Sequence, residues 1–485
     1  MEREENSMVV PIIFETCTIK DDAPLFSWIF YMFISKMNHH CMAIIGQENF
    51  FKNLDNKRNN YIDLENRIDF SFPNNRSILE YQKYMITNDE LNRVIKDYSN
   101  SYESEKALIT DFNSELYTII AKRIQSIESD FNQKVSTIIV WVNNATINQY
   151  ASEHNIHVIN MELSTIRKMD YQINLMYFCP DKYSTDYCQS MYHEYLKCKD
   201  IPVLSRRQIL SLFIATNYLN KAFHYDSFAP YELGVSPGLK KDFFFDLYSN
   251  EPIQITLKKA KKMFPESSVS IRFHPGFHWD LSNYNFHIDH SINSIEWILK
   301  CKRIVTSVSN VGFEAMLLGK NVYVLSDYMP YSFMVLNHLD YVEDSSTDIR
   351  FLNFMIFVFF VPLSLATDVG YIEWRHTNPS INEIYKKHIQ TIKKELKITG
   401  DFSLENILKT VHHMSLKEIS ALVQDNDFVR YQNLQNRYKS LEEKILILQK
   451  TNQNLNHELD NILNSKSWKV TKPLRFVSKK IQKKN

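Results

Sequence analysis

Glycine is scarce in this chain, with 8 among 485 residues. A chain so poor in glycine forgoes most left-handed turns and close backbone approaches, so each one it keeps is expected to mark such a place. Five of the eight, Gly234, Gly238, Gly276, Gly312 and Gly319, fall within or just ahead of residues 269–325. Cysteine is sparse too. Cys17, Cys41, Cys179, Cys188, Cys198 and Cys301 form no CxxC pair and no dense framework. That argues against a disulfide scaffold and reads as reduced thiols in a cytosol. An excess of either charge is also missing: Lys plus Arg and Asp plus Glu number 56 each. The whole chain therefore lacks the basic footprint of a nucleic-acid-binding protein.

Long apolar runs are absent as well. Residues 23–37 and 351–366 are the two most apolar stretches, and the second spans sixteen residues that include Asn353 and Pro362. Both fall short of the ~20 residues a membrane-spanning helix needs, and both are expected to be buried helices. The opening MEREENS has no basic n-region, so the chain reads as cytoplasmic, soluble or peripheral. No DxD motif sits at a convincing strand end, because Asp425-Asn426-Asp427 lies in the approach to a helical tail.

What is present is organised around residues 269–325. Val269–Phe273 reads as a strand ending at His274-Pro275-Gly276. Arg303–Thr306 is a β-branched run that suits a buried parallel strand. Ser307, Ser309 and Asn310 then supply a turn and a helix N-cap, Phe313–Leu318 a helix, and Val322–Leu325 the next strand. In an open parallel sheet the carboxyl ends of strands line the ligand crevice. His274 and the Ser307–Gly312 turn are therefore expected to face one crevice. The helix start offers hydroxyls, orphan N–H groups and, at Gly312, room for a ligand to approach, which suits a phosphate.

Upstream, Val9–Phe14 and Met42–Ile45 read as strands with a helix over Pro24–Lys36 between them. Ser136–Val142 is a buried strand, followed by a helix through Glu153 and a strand at His157–Ile159. The alternation predicts an α/β fold with crossover helices. The Pro230, Gly234, Pro237, Gly238 cluster reads as an inter-domain loop. The expected division is residues 1–230, a Rossmann-like acceptor-side domain; 231–375, a donor-binding Rossmann-like domain; 376–428, closing helices; 429–464, a coiled coil; and 465–485, a basic amphipathic tail. Leu434, Tyr438, Leu441, Ile445, Leu448, Asn452, Leu455, Leu459 and Ile462 alternate by four and three, a heptad seam over 431–462 with one Asn at an a position. Such a seam predicts a parallel homodimer. Residues 461–485 carry eight Lys or Arg and no acid, interleaved with Trp468, Leu474, Phe476, Val477 and Ile481. Residues 466–484 therefore suit an anionic membrane surface.

Two separated motifs, FHPG at 273–276 and SVSNVGFEAMLLGKNV at 307–322, carry a resemblance. They look like the donor half of GT-B glycosyltransferases that use CMP-activated acidic sugars. With INMELSTIR (159–167), FFDLYSNEP (244–252) and the run from 351 to 380, the chain resembles the bacterial retaining β-Kdo transferases of O-antigen, lipopolysaccharide and capsule assembly. The resemblance spans roughly the first 400 residues. It implies two Rossmann-like domains facing a crevice, a CMP-Kdo donor and a glycan or lipid-linked glycan acceptor. The location it implies is the inner face of the cytoplasmic membrane. His274 and Pro275 would meet the CMP phosphate, and Ser307, Ser309, Asn310 and Gly312 the phosphate or ribose, with Glu314 reaching the nucleoside hydroxyls. Glu162 and Arg167 would line the active site. Retention calls for a carboxylate nucleophile; Asp246 and Glu251 are nearest to the family's position, Asp246 preferred, with Asp242 and Asp226 further back. A donor with one phosphate does not demand a metal, and no cofactor is expected.

Three rival readings remain. One is an inverting sialyltransferase using a CMP-sialic acid donor, which shares the His-Pro and Ser motifs. Another is a metal-dependent hydrolase built on His274, His278, Asp280, His287, Asp289 and His290, whose spacing is compatible with metal ligation. The third is a non-catalytic scaffold working through its coiled coil, which leaves the crevice motifs unexplained.

Overall fold

The computed structural model describes residues 7–16, 24–60, 71–180, 182–223, 229–238, 243–274, 279–343, 346–423, 448–456 and 461. Strands β1 (Ser7–Ile13), β2 (Ile45–Gly46), β3 (Lys134–Val140), β4 (His157–Leu163) and β5 (Leu175–Pro180) belong to one sheet. β2, β1, β3 and β4 run parallel in that order, and β5 lies antiparallel to β4. The inner strands are apolar on both faces because helices cover both, as a buried parallel sheet requires. One cover is the helix Pro24–Lys36, whose Trp28, Ile29, Phe30, Tyr31, Met32 and Phe33 are all at most 1% exposed. A helix apolar all round is stable only when enclosed in this way.

The second sheet holds β6 (Tyr231–Ser236), β7 (Val269–Ile271), β8 (His287–Ile288), β9 (Cys301–Thr306) and β10 (Asn321–Val324), in the order β10-β9-β6-β7-β8 with every pair parallel. Its own core gathers Leu233, Val235, Val269, Ile271, Val305 and Tyr323. Two parallel-sheet α/β lobes, each with a separate core, make the GT-B type of architecture expected from the sequence.

Three expectations change. The Pro/Gly-rich stretch expected as a loop contains β6, the central strand of the second sheet. Gly234 is there for packing: a Cβ on it would lie 2.7 Å from Ile304 Cδ1, and 2.8 Å from both Cys301 Sγ and Trp297 Cζ2. The span 231–375 is not one lobe either. β11 (Val361–Pro362) returns to the first sheet and pairs antiparallel with β5. Residues 351–366 are buried as expected, yet not as one helix. A helix over Ile349–Phe354 widens into a π turn at Met355–Phe359 before β11 and the short helix Leu363–Ala366. Pro362 lacks the N–H a continuing helix needs.

From β11 onward, helices Val369–His376 and Ile381–Glu395 pack back on the first lobe. The His376 ring stacks on His157 at 3.9 Å and its Nε2 lies 2.9 Å from Thr137 Oγ1. His388 is fully buried, with Nε2 2.6 Å from the Tyr371 hydroxyl. Burial pulls the His376 pKa down to about 4 and that of His388 to about 3. The unfolded chain takes up these protons near pH 6.5 and the folded chain does not, so stability is full above that pH and falls as pH drops toward 4. Unfolding free energies from denaturant titrations are expected to fall below pH 6.5 toward pH 4, by about 1.4 kcal/mol per pH unit for a fully buried histidine. His388→Gln should flatten that slope; an unchanged slope would refute the assignment.

Residues from Ser420 onward form a separate unit. Within it residues 448–456 are helical, with Leu448 68% and Leu455 58% exposed. The rest of the seam, except residue 461, and the basic segment 466–484 lie outside the described residues. Among the described residues, no helix is long and apolar enough to cross a membrane.

Candidate functional site

Parallel pairing brings the carboxyl ends of β6, β7, β9 and β10 to one edge of the second sheet. His274 follows β7 and is exposed there, while Ser307, Ser309 and Asn310 follow β9. β6 alone separates those strands, so the two motifs are about 10 Å apart at two strand spacings. Pro275, Gly276 and His278 lie outside the described residues. Trp279 Nε1 donates to the Gly238 carbonyl at 3.1 Å and ties the loop after β7 to the loop after β6.

A second segment closes over this edge. After the helix Phe243–Tyr248, Ser249 Oγ lies 3.0 Å from Ser307 Oγ, and Asn250 N–H donates to the Leu325 carbonyl at 2.8 Å. Asp246 and Glu251 flank this crossing. Asp246 is exposed and turned to the first lobe, where it accepts from the Tyr102 hydroxyl at 2.7 Å and has Lys106 Nζ at 3.9 Å. Glu251 is committed inside its own lobe. It pairs with Lys259 at 2.5 Å and accepts from Thr256 Oγ1 at 2.9 Å.

The turn after β9 is also where the lobes meet. Asn310 occupies the N-cap position of the helix Val311–Leu317 in αR geometry and makes no side-chain cap. Its amide instead donates to the Leu163 carbonyl at 3.1 Å and accepts from the Tyr177 hydroxyl at 2.9 Å. Leu163 closes β4, so Glu162 stands beside this junction, half-buried. Burial, with Glu162's charge among the lesser causes, pushes the hydroxyls of Tyr177, Tyr183 and Tyr331 up. Arg167 lies further along and is exposed.

Two expected contacts are turned inward. Gly312 does not leave room for a ligand. A Cβ there would lie 2.6 Å from the Tyr331 hydroxyl, which donates to the Ser309 carbonyl at 2.5 Å. Glu314 faces the core, 3% exposed, and accepts from the Tyr171 hydroxyl at 2.7 Å. Burial holds its carboxyl pKa above the usual range. In that position it joins the lobes rather than meeting a nucleoside. Tyr171, Tyr177, Tyr331 and Ser249 were not legible as site residues, since nothing local marks a buried tyrosine as an inter-lobe donor.

Among the described residues, no group of three or more His, Cys, Asp or Glu could hold a metal. Within the expected cluster, Asp289 is spent on Arg272 Nη1 at 2.6 Å and Lys300 at 3.7 Å. His287 stacks on Tyr231 at 4.8 Å.

The segment that builds most of the first sheet decides the class. Residues 12–181 match the model described as Glycosyltransferase 99 family N-terminal domain. Residues 12–181, most of the first sheet, are thus similar to a glycosyltransferase domain. The resemblance to a glycosyltransferase family is thereby supported over those residues. No curated protein matches the chain. Similar solved structures include the Thermosulfurimonas dismutans KpsC beta Kdo 2,7 transferase, at 13% identity and a TM-score of 0.34 over 55% of this chain and 89% of that one. The beta Kdo 2,4 transferase of the same protein gives 13% and 0.32 over 55% and 95%. The Methanocaldococcus jannaschii UDP-GlcNAc 2-epimerase gives 14% and 0.30 over 67% and 85%. Likeness of this order bears on neither substrate nor mechanism.

Proposed function

We propose that this glycosyltransferase moves Kdo, or a related acidic sugar, from a CMP-activated donor to a growing bacterial surface glycan. What supports the reading is that His274 and the Ser307–Asn310 turn follow strands ending at one edge of the second sheet, with Asn310 donating to the carbonyl of Leu163 next to Glu162, in a chain whose residues 12–181 match a glycosyltransferase domain. Departure of CMP leaves charge on its single phosphate and an oxocarbenium-like sugar. His274 and the hydroxyls of Ser307 and Ser309 would donate to that phosphate, with no metal or cofactor needed. A carboxylate would stabilise or capture the sugar cation, and retention follows from capture. Asp226 and Asp242 lie outside the described residues; of Glu162, Asp246 and Glu251, Glu162 is the one adjoining the residue that meets the Ser307–Asn310 turn. Arg167, nearby, would meet the sugar carboxylate.

The seam at 431–462 would pair two copies, and residues 466–484 would hold them at the inner face of the cytoplasmic membrane, near a lipid-linked acceptor. Titration calorimetry of CMP is the direct test. CMP is expected to bind, and His274→Ala to weaken it about tenfold or more, as loss of a charge-assisted hydrogen bond does. No binding to either protein would sink the CMP-sugar reading. CMP binding with inverted product would favour the inverting sialyltransferase chemistry.

A further inference from the structure

A cavity of about 400 Å³ opens in the first lobe between the end of β5, the start of the helix Thr185–Lys197, and residues 375–384. Ile159 and Pro180 line it and pair across β4 and β5 at the end of that ladder away from Leu163. Ile159 and Leu163 are four strand steps apart, about 13 Å. The cavity is thus distinct from the turn that meets Leu163, and its volume lies in the range of small-molecule sites.

Arg375 sets its chemistry. The guanidinium donates from Nη1 to the Tyr371 hydroxyl at 2.8 Å and from Nη2 to the Tyr187 hydroxyl at 3.0 Å, and lies 5.2 Å from the Phe178 ring centre. Burial pushes the Tyr187 hydroxyl up, so this partner is neutral. Among the described residues, no carboxylate lies within ion-pair distance of Arg375. A largely desolvated guanidinium whose partners carry no charge is costly, and an oxyanion accepting its remaining N–H groups would offset that cost. The surroundings favour the same ligand. Lys182 is exposed on the cavity lining, and Ser184, also on the lining, caps a helix of thirteen residues whose positive end adjoins it. Met191 and Ile384 supply an apolar wall for the body of a ligand.

We propose that this cavity is a second ligand site, taking a small organic anion whose phosphoryl or carboxylate head group is gripped by Arg375. The site does not rest on the donor reading. Inorganic phosphate and sodium glucuronate, titrated separately into the full chain, tell the two head groups apart. One of them is expected to bind, about tenfold or more weaker in Arg375→Gln and about threefold weaker in Lys182→Ala. His274→Ala and saturating CMP should leave that binding unchanged. Binding undiminished in Arg375→Gln, binding abolished by His274→Ala, or no binding of either probe at ~10 mM would overturn the proposal. The guanidinium would then be a brace for two tyrosines. Should Arg375→Gln lose its cooperative melt, Lys182→Ala decides, because its exposed side chain can be removed without disturbing the core.

Discussion

Replacing Glu162 by Gln is expected to lower glycosyl transfer about 10²–10⁴-fold while leaving CMP affinity within about twofold of the parent. The substitution keeps size and hydrogen-bonding capacity and removes only the charge that an oxocarbenium-like sugar needs nearby. Glu162 adjoins Leu163, whose carbonyl accepts from the Asn310 amide at 3.1 Å. Glu251 is tied to Lys259 and Thr256, and Asp246 is exposed against Tyr102. Initial rates with a CMP-Kdo donor, set beside CMP calorimetry, separate a chemical role from a binding one. Transfer retained in Glu162→Gln and lost in Asp246→Asn would move the carboxylate role to Asp246.

The largest stability effect is expected at Gly234. Gly234→Ala should cost ~1–3 kcal/mol and Gly234→Val more, as overpacking of a closed core does. All three groups that a Cβ would strike are buried. Ile304 Cδ1 is the flexible end of a side chain. The Trp297 indole, however, is held by its Nε1 donating to Ser270 Oγ at 3.0 Å, and Cys301 Sγ sits 3.4 Å from the Trp297 carbonyl. Neither can retreat without losing a contact inside the second lobe. Gly370 is the control. It lies in the helix Val369–His376, where a new Cβ meets nothing closer than Asp368 Oδ1 at 3.4 Å. Gly370→Ala should be neutral or stabilising by up to about 1 kcal/mol. Denaturant melts of the three variants test the pair, and equal midpoints for Gly234→Ala and Gly370→Ala would refute the packing argument.

Much of the fold was legible because period and punctuation are local. The helix over 24–36, the strand–turn–helix–strand from 301 to 324 and the strand at the centre of the first sheet each declare themselves within about fifteen residues. β6 did not, because glycine and proline punctuate loops far more often than they sit in a central strand. Gly234 is there for Trp297, 63 positions away, and no window around it contains that reason. The run at 351–366 was legible as buried and not as broken, since burial on every side looks alike in a helix and a short inner strand.

The site divides in the same way. The sequence by itself determined a parallel α/β chain and the edge where strand ends deliver His274, Ser307, Ser309 and Asn310, because strand direction and turn residues follow from neighbours along the chain. Only the tertiary structure decided what those residues do once they are there. It turned Glu314 onto Tyr171, filled the space at Gly312 with Tyr331, and spent the Asn310 side chain on β4 and β5 rather than on its own helix. It also gave Arg375, on the lining of a cavity, the hydroxyls of Tyr371 and Tyr187 as partners. Each is a contact between groups distant in sequence, set by how the two sheets meet. Local patterning carries no information about which polar group will find its partner there.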